Sequence, residues 1–149
     1  MARIVLRPGY IFRFPTENGQ HGYCQWLPHD ARIFLMSTPE ELSPEEILRL
    51  PVAFRVPVFR DTPRLYGWRK VGVGPVPPDC AEPQTFAKRD IINKTLSIYH
   101  AGNERPASVE EIQGLETLAV WAHPHIVERL LAQLAQKPSK FLESIQVPR

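Results

Sequence analysis

The chain has 149 residues, 43% hydrophobic and 23% charged, with a formal net charge of +2. A chain of this size and composition is expected to fold as one domain, residues 1–149, burying roughly two-thirds of its unfolded surface, which excludes wholesale disorder. A pI near 8.7 falls short of the clustered basic surplus seen in proteins that live on phosphate backbones, so nucleic acid is not the expected partner.

Residues 9–15 alternate Tyr10, Phe12 and Phe14 against Ile11 and Arg13, the pattern of a half-buried strand stopped by Pro15. Asn18-Gly19 then signals a hairpin, with a return strand over 21–27 and a third strand at 32–36. A three-stranded meander is the simplest arrangement. Thr38-Pro39-Glu40-Glu41 and Ser43-Pro44-Glu45-Glu46 each combine a capping hydroxyl, a proline and a glutamate at the third helical position. Two helices cannot begin five residues apart, so the second motif predicts a short helix over 44–50 and the first a single turn.

Strands are expected again at 53–60 and 66–73. Phe54, Val56 and Val58 face one way, and Pro57 assigns the first run to a sheet edge or a bulge. Sixteen prolines, about twice the usual share, are densest between Pro51 and Pro83 and forbid long helices there. Residues 72–78 read as a rigid unpaired connector, with further strands near 84–88 and 95–100. Ser108-Val109-Glu110-Glu111 is a third capping box, predicting a helix through Ile112, Leu115, Leu118 and Ala122. Pro124 starts another, with Ile126, Val127, Leu130, Leu131 and Leu134 as its apolar stripe. The expected class is α+β: a small twisted antiparallel sheet or partly open barrel over residues 4–100, packed against helices within 108–149.

The chemistry-bearing groups are sparse. His123-Pro124-His125 offers two imidazoles where a metal site needs three or four ligands. Gly72-Val73-Gly74-Pro75 has a proline where a phosphate cradle needs a backbone donor. An enzyme would have to be built from Cys24, His21 and His29, and a buried structural Cys24 is the better account. No catalytic residue, metal or cofactor is therefore expected. Glu40, Glu41, Glu45 and Glu46 form the densest charge, two of them as caps, and offer an acidic contact surface for a basic partner. Arg49, Arg55, Arg60, Arg64, Arg69 and Lys70 accompany Phe59, Tyr66 and Trp68. That mixture suits a protein interface, with Arg55 and Arg69 as candidate contacts, or alternatively a nucleic-acid-binding barrel.

Gly9-Tyr10-Ile11-Phe12, Gly22-Tyr23, Val58-Phe59 and Gly67-Trp68 together resemble the N-terminal signature of the twenty-sixth family of immunity proteins from bacterial polymorphic-toxin and contact-dependent secretion systems. The likeness spans residues 7–75. Tyr10 stands where that family has an acidic residue, and residues beyond 75 lie outside the likeness. The resemblance implies a protein that binds one cognate toxin and blocks its active site. It carries no catalytic residues to transfer. No apolar run approaches the roughly twenty residues of a membrane helix, and the first nine are too short for a signal-peptide core. The chain is therefore expected in the cytoplasm without a membrane partner, facing a toxin that acts there.

Overall fold

The structure is a computed structural model and describes residues 4–146. Its centre is a five-stranded antiparallel sheet of order β4-β3-β2-β1-β5, built from β1 (Tyr10–Pro15), β2 (His21–Trp26), β3 (Ala31–Phe34), β4 (Val52–Val56) and β5 (Arg69–Val73). The β1–β2 turn needs positive φ at both central positions, supplied by Asn18 at 49° and Gly19 at 77°, and Gln20 N–H closes it on Glu17 O at 2.8 Å. Register follows from that turn: Phe12 opposes Cys24 and Phe14 opposes Gly22. As Pro57 predicts, β4 lies at a sheet edge.

Period-two alternation gives this sheet two apolar faces. Phe12, Phe14, Cys24, Ile33, Phe54 and Val56 fill one, where α4 (His123–Leu134) lays Ile126 and Leu130. Ile11, Tyr23 and Phe34 fill the other, covered by Ile47 of α1 (Pro44–Leu48). The sheet is thus a middle layer. Gly22 is what lets α4 come close: a Cβ there would stand 2.6 Å from the Phe14 ring and 3.2 Å from Leu130. The capping box of α1 is complete, Glu46 N–H donating to Ser43 Oγ at 3.2 Å and Ser43 N–H to the Glu46 carboxylate at 3.0 Å. Hydrogen bonds from the backbone and side chain of Ser43 hold the Glu46 carboxyl below its ordinary range.

The strands expected near 84–88 and 95–100 form, but as β6 (Thr85–Arg89) and β7 (Leu96–His100) of a second sheet. It adds β8 (Asn103–Pro106) and β9 (Glu116–Thr117) in the order β8-β7-β6-β9, with β9 parallel to β6. Both sheets are open, and the class is α+β. Two further expectations need correction. Residues 72–73 are not unpaired: Gly72 opposes Ile11 and Val73 opposes Tyr10 within β5. The helix expected over 108–122 does not form. Its capping box closes one turn, with Glu111 N–H on Ser108 Oγ at 3.3 Å, but Gly114 then takes φ +77° and turns the chain. Residues 116–117 gain strand pairing to β6 instead, and Ile112 is buried near Ala87. Tertiary pairing outweighs the local signal. The expected helix from Pro124 does form as α4, followed by α5 (Lys140–Ile145), whose N-terminal Lys140 and Phe141 N–H groups donate to Glu128 of α4.

Arg55 ties the first sheet to the segment that leads into the second, and Arg129 of α4, over the Phe54 ring, pairs with Glu116 of β9. Arg55 Nε donates to Asp30 at 2.8 Å, while its two terminal nitrogens reach the carbonyls of Asp79, Cys80 and Glu82 at 3.3, 3.4 and 2.5 Å. These carbonyls belong to α3 (Pro78–Ala81) and the residue after it, which leads into β6. Burial pushes the Asp30 carboxyl up, and the hydrogen bond and charge of Arg55 oppose that shift.

Candidate functional site: an arginine–aromatic strap around α2

Pro57 ends β4, and the chain does not resume a strand until Arg69. Between them lies a strap rather than the continuous alternation expected. Val58 bridges to Trp121, and Phe59 N–H donates to Trp121 O at 3.1 Å. One helical turn, α2 (Thr62–Leu65), follows Asp61 with Pro63 in its first turn. Leu65 N–H donates to Asp61 O at 2.9 Å and Tyr66 N–H to Thr62 O at 3.0 Å; Gly67, at φ +68°, ends the turn, and Trp68 N–H returns to Pro63 O at 2.9 Å. The strap is therefore closed by its own backbone bonds.

Its underside is fixed by aromatic packing. Trp68 is buried and stacks on Phe14 with ring centroids 4.9 Å apart, and its Nε1–H donates to His123 Nδ1 at 3.0 Å. Tyr66 stacks on the same imidazole at 4.7 Å and 18°. Accepting the Trp68 bond requires a lone pair on Nδ1, and burial pushes the His123 pKa down, so the neutral ring is the form the site holds.

The outer side carries what the fold does not use. Phe59, Leu65 and Tyr66 are 53%, 63% and 39% exposed. They line a shallow recess with Arg60, Asp61, Thr62 and Ala122. Arg60 lines it and Arg64 is exposed beside Asp61 at 3.7 Å, whereas Arg69, paired with Arg13 in β5, is exposed on the α1 face of the sheet. Lys70 lies over the Tyr10 ring at 3.8 Å. An apolar and aromatic centre flanked by guanidinium groups is the composition of protein-interface hot spots, because planar side chains give large contact area at small entropy cost.

Sequence reasoning found much of this site but sorted it differently. Arg69 is exposed as expected. Arg55 is not a surface contact: its guanidinium is engaged by Asp30 and the carbonyls around α3. Trp68 is core, and Leu65, which no motif marked, is among the most exposed apolar groups. The four glutamates are dispersed in role. Glu40 O accepts from Tyr23 Oη at 3.0 Å, Glu41 pairs with Arg13 at 2.9 Å, Glu46 caps α1, and Glu45 is exposed.

The alternative sites do not assemble in the same way. His21 and Cys24 are three residues apart on β2 and point to opposite faces. Cys24 is fully buried, and burial pushes its thiol far up, away from the thiolate a nucleophile needs. Cys24 and Cys80 are both free thiols. His123 and His125 part company, the first against Trp68 and Tyr66, the second stacked on Phe141 at 3.7 Å. Among the described residues no three His, Cys, Asp or Glu side chains gather as metal ligands, and no helix is long and apolar enough to cross a membrane. No family model, curated protein or solved structure matches the chain.

Proposed function

We propose that this protein is an immunity protein: it binds a cognate bacterial toxin that acts in the cytoplasm and blocks the toxin's active site. One observation carries this reading above the others. The α2 strap presents Phe59, Leu65 and Tyr66 outward, with Arg60 and Arg64 beside them, from a backbone already closed by hydrogen bonds. A preformed surface of this kind loses little conformational entropy on binding, which suits tight neutralisation. The likeness to the twenty-sixth immunity family adds support, since Gly9, Gly22 and Trp68 of that likeness all have structural roles here. Gly9 takes φ +96°, Gly22 admits Phe14 and α4, and Trp68 roots the strap. The partner fitted to this surface has an apolar projection with acidic groups beside it. A neutralising interface of about 1,200–2,000 Å² would extend beyond the strap onto its surroundings.

The same groups favour a second reading as a nucleic-acid contact, with Tyr66 as a stacking platform and the arginines on phosphates. Salt separates the two. Capture of partners from native lysate at moderate and high salt, read by mass spectrometry, is expected to give one stoichiometric protein that survives high salt and is toxic when expressed alone. Nucleic acid that dissociates as salt rises would replace the immunity reading with the second one.

A further inference from the structure

The two most exposed large apolar residues are neighbours at one hairpin tip. Ile91 and Ile92, 92% and 93% exposed, sit between β6 and β7 of the second sheet. Exposed apolar side chains at a loop end usually accompany a loose loop, but this one is built. Asp90 Oδ1 accepts from Ile92 N–H at 2.8 Å and Asn93 N–H at 3.0 Å. Lys94 N–H donates to Asp90 O at 2.9 Å, Asp90 N–H to Thr95 O at 2.9 Å, and Asn93 Oδ1 accepts from both Thr95 N–H and Thr95 Oγ1. The isoleucines stand on a turn closed by these hydrogen bonds.

Charge at the tip has one outward sign. Asp90 is the only acid among residues 88–95, and its carboxylate is turned into the loop. Arg89 and Lys94 are exposed on either side, and they share a recess with Ile91 and with Ser144, Ile145 and Gln146 at the end of α5. Two isoleucines and two cations at one hairpin tip fall short, by themselves, of the roughly 800 Å² per partner of a stable protein interface. A lipid surface has no such requirement: the apolar pair enters the acyl boundary while the cations meet anionic headgroups.

We propose that the Asp90–Thr95 tip is a peripheral anchor that docks this protein on anionic membrane surfaces by inserting Ile91 and Ile92 between lipids, with Arg89 and Lys94 on the headgroups. No spanning helix is needed for this. The surface is separate from the α2 strap, and the proposal stands whether or not that strap binds a toxin.

The test is co-sedimentation of the full chain with vesicles of phosphatidylcholine and phosphatidylglycerol at 3:1, against pure phosphatidylcholine. Binding is expected on the anionic vesicles and to be much weaker on the neutral ones. Ile91→Ser with Ile92→Ser, which leaves the charge unchanged, is expected to lower it about tenfold, and Arg89→Ala with Lys94→Ala to lower it severalfold, more so at low salt. All four side chains are exposed, and unchanged thermal unfolding verifies that the variants are folded. Absence of sedimentation with anionic vesicles overturns the proposal. So does sedimentation that the isoleucine variant leaves unchanged, which would reveal adsorption by charge alone through another surface. A tip variant that loses a captured protein while wild type ignores vesicles would assign the tip to a protein partner instead.

Discussion

His123 is where sequence, packing and titration meet in one side chain. Its position ahead of Pro124 reads as a helix corner, and the structure adds that its Nδ1 accepts from Trp68 while its face stacks on Tyr66. Burial pushes its pKa down, so the unfolded chain binds the proton more readily than the folded one. Stability from this group is therefore fully present above about pH 6.5 and is lost as pH falls through the lowered folded value. Thermal unfolding followed from pH 7.5 to 5 should fall more steeply for wild type than for His123→Gln, which keeps an acceptor for Trp68 and does not titrate. Equal slopes would remove the histidine from the account. Gly22 gives a second prediction at this scale. Alanine there meets the Phe14 ring and Leu130 together, and denaturant unfolding should report a loss of about 1–3 kcal/mol. A neutral Gly22→Ala would mean α4 packs less closely on β2 than the structure has it.

At the scale of elements, what could be read in advance was what neighbours in sequence decide. Asn18-Gly19 announces its turn, Ser43 to Glu46 its box, and the alternation of residues 10–14 a strand, but a half-buried one, whereas α1 and α4 cover β1 on both faces. Ser43→Ala should cost about 1 kcal/mol, because α1 is short and its box is complete. Ser108 to Glu111 shows the limit of such signals. The same hydrogen bonds form there, yet the helix is lost to Gly114 and to pairing of residues 116–117 with β6. Arg55 was read as a surface group because alternation places it opposite Phe54 and Val56. Its acceptors lie 24 to 27 residues away on α3 and its exit, with Asp30 equally distant on the other side. Nothing local marks that meeting. Arg55→Ala removes a charged donor from a buried carboxylate and from three carbonyls, and chemical unfolding should show a loss of about 3 kcal/mol or more. Arg55→Lys should recover little, since an ammonium cannot span the same fork.

For the whole molecule, the sheet is a middle layer with α4 on one face and α1 on the other, and its far edges lead into surfaces that the core does not use. The class was legible because periodicity fixes it. The division into two sheets was not, since β6 to β9 are short and β9 joins β6 by a parallel contact between residues about thirty apart. The candidate site was half legible: arginines and aromatics were visible in the chain, but which of them face outward follows from the strap over 57–68. Arginine and leucine at this surface are predicted to act without altering the fold, in contrast to Arg55. The central claim is that the α2 strap binds a protein toxin. The most direct measurement is capture of the partner at high salt by wild type and by Leu65→Asp with Arg60→Ala, both verified as folded by unchanged thermal unfolding. The account predicts one stoichiometric toxic protein retained by wild type and lost from the variant. Retention of that protein by the folded variant would contradict the strap as its binding surface.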